Sequence, residues 1–180
     1  MAVTHVALIR GINVGHAKRV AMGELRALVG GLGYSDVRTL LNSGNLVFSA
    51  PRAAPAAAAS RIEKAMAARL GVSARVIALT AAELAEAIAG NPLLARATNP
   101  SRLLVAILAA PGDRAKLRSL EKQRWDPSAL ALGKRVAYLW CPDGLMASPL
   151  AQAVGGALGD AVTMRNWTTL TKLLALARGS

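Results

Sequence analysis

Three short polar phrases interrupt a chain that is otherwise rich in alanine, leucine and valine. They are Arg10-Gly11-Ile12-Asn13-Val14-Gly15, Asn42-Ser43-Gly44-Asn45 and Arg165-Asn166-Trp167-Thr168-Thr169. Each phrase holds groups that donate hydrogen bonds to anions, and none contains Asp or Glu. A site without carboxylates is better suited to holding a negative ligand than to moving protons or binding a hard metal ion.

The first phrase stands between an apolar run and an amphipathic segment, where backbone N–H groups can enclose an anion. Its glycine spacing is neither that of a Walker loop nor that of a dinucleotide fingerprint. The structural alternative is a tight turn in which glycines allow positive φ and Asn13 bonds its own backbone. On spacing alone, this turn is favoured over a ligand loop.

The other two phrases also have structural alternatives. Ser43-Gly44-Asn45 is more typical of a plain hairpin turn than of a ligand contact. The third phrase begins a helix, whose N-terminus offers free N–H groups and a partial positive charge, and Arg165 adds a forked donor. A helix cap by Asn166 or Thr168 is the competing interpretation, and the two are compatible.

We predict that the three phrases meet in one positive pocket without carboxylates. The predicted ligand contacts are Arg10, Asn13, Ser43, Asn45, Arg165, Asn166 and Lys172. The leading hypothesis is a protein that binds a phosphate-bearing ligand, either a nucleotide or a nucleic-acid backbone.

Catalytic patterns are missing from the sequence, so neither a cofactor nor a metal is predicted. There is no nucleophile elbow, no histidine–carboxylate pair and no metal-ligand spacing. Cys141 ends the apolar run Val136–Cys141, which predicts a buried structural thiol. One alternative hypothesis is an enzyme in which Arg10, Ser43 and Arg165 hold a small anionic substrate. Another is a structural or interaction domain whose loops only turn the chain.

The charge of the chain is strongly positive. It carries 22 basic and 10 acidic residues, a net charge of +12 and a sequence pI near 11.3. Such a field attracts nucleotides and nucleic acid. However, the basic residues are spread along the chain with no run longer than Lys134-Arg135, and a high-GC coding sequence yields a similar arginine-rich composition. Charge that serves only solubility is therefore the favoured interpretation.

Length and hydropathy predict a cytoplasmic protein with no membrane partner. The longest apolar stretch, Leu103–Ala110, is far shorter than the roughly 20 residues that span a bilayer. Arg10 breaks the N-terminal apolar run, so no signal peptide is expected. With 180 residues, the chain is long enough for one ordinary domain or two small ones.

Apolar periodicity and turn residues predict the secondary structure. In the first half, strands are expected over 3–9, 37–41, 46–49 and 72–79, and helices over 22–32, from the capping box Ser60/Glu63 to 70, and from the capping box Thr80/Glu83 to 88. In the second half, strands are expected over 103–108, 129–132, 136–140 and 161–164, and helices over 113–122, after the cap Ser148, and at the C-terminus.

The order of these elements predicts the fold class. Strand-helix-strand-strand-helix-strand is the order of a ferredoxin-like unit, and the second half repeats it. We therefore predict an α+β protein of two ferredoxin-like halves, residues 1–90 and 91–180, with antiparallel sheets and a C-terminal helix. A doubly wound sheet is the alternative, but the two hairpins argue against an all-parallel arrangement.

The phrases also resemble a bacterial family that is known as domain-of-unknown-function family 1697. Its members carry an RGINVG-type phrase, MxxLR, a VxTxxxSGNxxF hairpin, an NPL or NPF step, SxL and TxRNWxTxxKL. The matching residues here are Arg10–Gly15, Met22, Leu25, Arg26, Val37, Thr39, Ser43–Asn45, Phe48, Asn91-Pro92, Ser148, Leu150 and Thr163–Leu173. The resemblance implies two ferredoxin-like halves and assigns no function.

Overall fold

The computed structural model describes residues 1–52 and 54–179. The first sheet of the protein contains four antiparallel strands. The first elements of the chain are β1 (Ala2–Ile9), α1 (Met22–Gly31), β2 (Ser35–Leu40), β3 (Asn45–Pro51), α2 (Pro55–Leu70), β4 (Val76–Thr80) and α3 (Ala81–Ala89). The strand order is β2-β3-β1-β4, with β1 paired to both β3 and β4.

A second sheet repeats this arrangement. Its elements are β5 (Leu103–Leu108), α4 (Arg118–Glu121), β6 (Ala129–Leu132), β7 (Val136–Trp140), α5 (Pro149–Leu158), β8 (Val162–Asn166) and α6 (Trp167–Ala177), with 3₁₀ helices at Pro100–Arg102 and Pro111–Leu117. The order is β6-β7-β5-β8, again antiparallel throughout.

Both sheets therefore have the strand order of a ferredoxin-like unit, in which the first strand lies between the third and the fourth. The predicted α+β class with antiparallel sheets and a C-terminal helix is confirmed. The chain divides into two compact units. Unit 1 comprises Met1–Leu84 and Leu173–Ser180, and unit 2 comprises Ala85–Lys172.

The core of unit 1 lies on the face of its sheet that α1 and α2 cover. Ile9 and Phe48 of the sheet pack in one buried cluster with Leu25 of α1 and Ile62 of α2. The ring of Phe48 also stacks on Tyr34, with 4.9 Å between ring centroids. Burying each such side chain stabilises the fold by about 1.5–3 kcal/mol, so this cluster holds the sheet to its helices.

Unit 2 has a separate aliphatic core. Leu108 and Leu139 of its sheet cluster with Leu117 and with Val154 of α5. Cys141 belongs to the same cluster and is fully buried as a free thiol, which confirms the prediction for this residue.

Two predicted capping motifs are confirmed. The Glu83 carboxylate accepts from the Thr80 N–H at 2.7 Å, and the Thr80 hydroxyl accepts from the Glu83 N–H at 3.1 Å. At α5, the Ser148 hydroxyl accepts from the Ala151 N–H at 3.1 Å, with Pro149 at the first helical position. Both motifs act over three residues, which is why the sequence shows them.

The predicted start of α2 at Ser60 is wrong. The helix begins five residues earlier, at Pro55, since proline suits a first turn and alanine has the highest helix propensity. Glu63 is consequently inside the helix and does not form a capping box. Its carboxylate accepts instead from the Val76 N–H at 2.6 Å and lies 3.5 Å from the Arg75 guanidinium.

The helix predicted over residues 113–122 is only partly α-helical. Pro111–Leu117 forms a 3₁₀ helix, and α4 adds a single α-helical turn. The Asp113 carboxylate accepts from the Ala110 N–H at 3.1 Å, which pins the start of this segment. The strand predicted over 72–79 begins later, at Val76.

Candidate functional site

The connection between β1 and α1, residues 10–21, starts from a fixed backbone position. The Ile9 N–H donates to the Gly44 carbonyl at 2.8 Å, and the Arg10 N–H donates to the Arg75 carbonyl at 2.9 Å. The start of the connection is therefore held against the β2–β3 turn and against the residue that precedes β4. Arg10 itself is exposed.

The connection then folds back on itself. The Asn13 N–H donates to the Lys18 carbonyl at 3.0 Å, and Val14 forms an isolated bridge with Ala17. Asn13 and Lys18 have φ angles of 55° and 50°. The left-handed region is unfavourable for most side chains but is accessible to asparagine, so Asn13 suits its position in the turn.

Asn13 joins this connection to the β2–β3 turn through its side chain. Its amide nitrogen donates to the Val20 carbonyl at 2.8 Å and to the Asn42 carbonyl at 2.7 Å. Its amide oxygen accepts from the Val20 N–H at 2.8 Å. Both N–H bonds of the amide are thus used within the protein, and Asn13 positions the two loops.

Asn45 has the corresponding role inside the hairpin turn. It is fully buried, and its amide nitrogen donates to the Leu40 carbonyl and to the Ser43 hydroxyl, both at 2.9 Å. These bonds close the turn across its base. Ser43 stays exposed at the tip.

Gly44 lets the turn approach the first connection closely. Its φ is 85°, and a Cβ atom added there would lie 2.8 Å from Ile9 Cβ and 2.9 Å from Ile12 Cδ1. Only glycine fits both the backbone conformation and the available space. The first two polar phrases are therefore brought together, with a direct hydrogen bond from the Asn13 amide to the Asn42 carbonyl between them.

A cavity of about 450 Å³ lies at the start of α1, beside these joined loops. It is lined by Asn13, Arg19, Val20, Ala21, Met22, Glu24 and Asn42. Ala21 is the N-cap residue and supplies no side-chain hydrogen bond to the helix. The first N–H groups of α1 are consequently left to solvent or to a ligand, at the end of the helix that carries partial positive charge.

Two opposite charges line this cavity. Arg19 and Glu24 are both exposed, and neither has a hydrogen-bond or ion-pair partner among the residues that the structure describes. The polar phrases themselves contain no carboxylate, but this cavity contains one. Neither residue is among the predicted contacts, because both lie outside the phrases, and only the fold places the start of α1 beside them.

The third phrase lies in unit 2, where β8 leads directly into α6. Arg165 donates through one guanidinium nitrogen to the Thr163 hydroxyl and to the Met164 carbonyl, each at 2.9 Å. Burial lowers the pKa of Arg165 to about 10, so the side chain remains charged at neutral pH. The Asn166 amide oxygen accepts from the Thr169 N–H at 2.9 Å and caps α6. Lys172 is exposed one turn further on.

The predicted contact residues thus fall into two groups. Arg10, Asn13, Ser43 and Asn45 lie at one end of the sheet in unit 1, where hydrogen bonds join their loops. Arg165, Asn166 and Lys172 lie at the β8–α6 junction of unit 2.

No group of three or more His, Cys, Asp or Glu side chains that could hold a metal ion occurs within residues 1–52 and 54–179. Burial raises the pKa of Cys141, which keeps its thiol protonated at neutral pH, although a hydrogen bond from Ser148 acts in the opposite direction. None of the helices in the described part of the chain combines the length and the hydrophobicity that a membrane crossing requires.

Comparison with known proteins agrees with the motifs. The model of the family described as "Protein of unknown function (DUF1697)" matches residues 2–138. The chain belongs to this family. The match includes the first two polar phrases, whereas Arg165-Asn166-Trp167 lies beyond the matched residues.

A solved structure has the same fold. It is the conserved bacterial protein SP0830 from Streptococcus pneumoniae, which is 21% identical and superposes with a TM-score of 0.75. The similarity covers 98% of this chain and 99% of that one. A search of curated protein sequences finds no match.

Proposed function

We propose that this protein binds a phosphate-bearing ligand, a nucleotide or a nucleic-acid backbone, in the cavity at the start of α1. The observation that carries the proposal is the position of Arg19 in the same cavity as the N-terminus of α1. A forked guanidinium and free backbone N–H groups are the donors that recognise phosphate most often.

The electrostatics of the chain support an anionic ligand. A net charge of +12 raises the local concentration of anions around the protein and accelerates their association. A volume of about 450 Å³ falls within the usual range for small-ligand pockets, roughly 300–1,000 Å³. The cavity is therefore large enough for a phosphorylated small molecule as well as for a phosphate group of a longer chain.

The predicted contact residues take different roles in this proposal. Arg10 and Ser43 are exposed near the joined loops and are proposed to contact the ligand. Asn13 and Asn45 are proposed as positioning residues, because their amide nitrogens already bond to the protein.

The predicted contact residues of unit 2 are proposed to act independently of the cavity at the start of α1. Lys172 is exposed and Arg165 is charged at neutral pH, so both are proposed to contact phosphate groups. Asn166 is proposed to keep the N-terminus of α6 in place, because its amide oxygen already caps the helix.

The test is calorimetric titration of the full chain with AMP and with a mixed-sequence single-stranded oligonucleotide at low ionic strength. Arg19→Ala is expected to weaken binding about tenfold or more, since hydrogen bonds to charged groups contribute about 1.5–3 kcal/mol. Arg118→Ala is the matched control, because Arg118 is an exposed arginine on α4. If both probes fail to bind the unaltered protein, the proposal is wrong.

The two probes also separate the two ligand classes. A nucleic-acid backbone contacted at several phosphates is expected to show an affinity that falls steeply with salt. A single nucleotide engages far fewer charges, so its affinity is expected to change less. Tighter binding of AMP with a shallow salt dependence therefore favours a nucleotide.

A further inference from the structure

The carboxylate of Glu24 is the feature of the cavity that phosphate recognition does not explain. Glu24 lies in the first turn of α1, where the partial positive charge of the helix favours an acidic side chain. However, its negative charge opposes the binding of any anion in the same cavity. A site for inorganic phosphate alone is therefore poorly served by this residue.

Among the residues that the structure describes, Glu24 has no partner that would neutralise its charge. No ion pair joins it to Arg19 within the described residues, although both side chains line the same cavity. An ionised carboxylate is an acceptor only, so the ligand group that complements it must donate hydrogen bonds. Vicinal hydroxyl groups do this well, because the two carboxylate oxygens can accept from both.

Asn42 is a further polar residue in the cavity lining. The Asn13 amide nitrogen donates to the backbone carbonyl of Asn42 at 2.7 Å, which fixes the backbone position of Asn42. A side-chain amide both donates and accepts, so it can bond to hydroxyl groups in either sense. The cavity thus combines one cationic group with a set of groups that accept hydrogen bonds.

We infer that the ligand is a phosphate ester of a hydroxyl-bearing group, such as a ribonucleotide or a sugar phosphate, with Arg19 on the phosphate and Glu24 on the hydroxyls. This inference rests on the proposed function and narrows it. It places the discrimination between ligands on Glu24 and the general affinity for phosphate on Arg19.

The experiment is a double-mutant cycle between the protein and the ligand. Affinities of AMP, 2′,3′-dideoxyAMP, ribose 5-phosphate and inorganic phosphate are measured by calorimetry for the unaltered chain and for Glu24→Gln. The unaltered protein is expected to bind AMP about tenfold more tightly than the dideoxy analogue, as a charge-assisted hydrogen bond predicts. Ribose 5-phosphate is expected to bind more tightly than inorganic phosphate.

Glu24→Gln is expected to act in opposite directions on the probes. It removes most of the preference for AMP over the dideoxy analogue, while inorganic phosphate binds more tightly because a negative charge has been removed from its site. Glu121→Gln on α4 is the matched control, because Glu121 is also an exposed glutamate in a helix. It should leave all four affinities unchanged, and melting temperatures verify that both variants are folded.

The outcomes separate this inference from the proposed function. If the probes bind but Glu24→Gln changes their affinities equally, the role of Glu24 is overturned and the phosphate site stands. If none of the phosphate-bearing probes binds, both proposals are overturned.

Discussion

The two units share one topology but differ in the connection that leaves their first strand. At the end of β1, the N–H groups of Ile9 and Arg10 donate to the carbonyls of Gly44 and Arg75. At the end of β5, the equivalent N–H groups of Leu108 and Ala109 donate to the carbonyls of Arg135 and Ala161, at 3.0 and 2.9 Å. The chain that leaves the first strand is thus hydrogen-bonded in the same way in both units.

The difference begins with the next residue. In unit 1, residues 10–21 form a connection that folds back and is held by Asn13. In unit 2, only residues 109 and 110 separate β5 from its 3₁₀ helix. There the Arg135 side chain donates to the carbonyls of Leu108 and Ala109, at 3.0 and 3.1 Å.

The contrast between the units shows that the same fold has a long connection beside a cavity after β1 and a two-residue connection after β5. The hydrogen bonds at the ends of β1 and β5 arise from topology, so they recur in both units. The cavity depends on the length of the connection and on side chains that hold it in place. A shared topology therefore says little about function, which depends on the loops.

The largest expected effect comes from the glycines of the two hairpin turns. Gly44→Ala is expected to lower the free energy of unfolding by about 3–4 kcal/mol, because the new Cβ overpacks Ile9 and Ile12 and φ is positive. Gly133→Ala in unit 2 places a Cβ 2.7 Å from Val136 Cγ2 without a positive φ, so about 1–3 kcal/mol is expected. Urea denaturation measures both, and equal losses would contradict the asymmetry between the two turns.

The next largest effects are expected for the two side chains that hold the chain in place after β1 and β5. Asn13→Ala is expected to cost about 2–3 kcal/mol, because it removes three hydrogen bonds and places alanine at a φ of 55°. It is also expected to weaken AMP binding at least tenfold, because the hydrogen bonds that position the cavity lining are lost.

Arg135→Ala is the counterpart in unit 2. It removes the bonds to Leu108 and Ala109, so a loss of about 1–2 kcal/mol is expected. The affinity for AMP should not change. A similar drop in AMP affinity in both variants would show that general loosening of the fold, and not the connection in unit 1, controls binding.

The smallest effect is a pH dependence in unit 2. Burial raises the pKa of Cys141 above its ordinary value of 9.0. The unfolded chain therefore loses the thiol proton before the folded chain does, so stability is complete below pH 9 and falls as the pH rises further. Part of the stability is therefore expected to be lost between pH 9 and pH 10.

Cys141→Ala is expected to remove this component of the pH dependence. Urea denaturation at pH 8 and pH 10 measures the difference between the two proteins. Identical losses in both would show that Cys141 is not the responsible group. Tyr138, whose pKa is also raised by burial and by Glu86, contributes only above its ordinary value of 10.0.

Local interactions explain which parts of the fold could be predicted from the sequence. The Thr80/Glu83 box and the Ser148 cap are complete within four residues, and the Gly133-Lys134 turn joins two strands directly. The start of α2 could not be predicted in this way. A capping pattern at Ser60 competes with an alanine-rich stretch that forms helix readily and is preceded by a proline suited to the first helical turn.

The candidate site depends on contacts that no local pattern records. Asn13 donates to the carbonyl of Asn42, which is 29 residues away in the sequence, and Gly44 packs against Ile9 and Ile12. The sequence by itself determined the residue types that can donate to an anion and the order of the strands. Only the tertiary structure decided that two polar phrases meet and that Glu24 shares a cavity with Arg19. The reason is that chain topology, not sequence spacing, brings the end of one strand against the turn between two others.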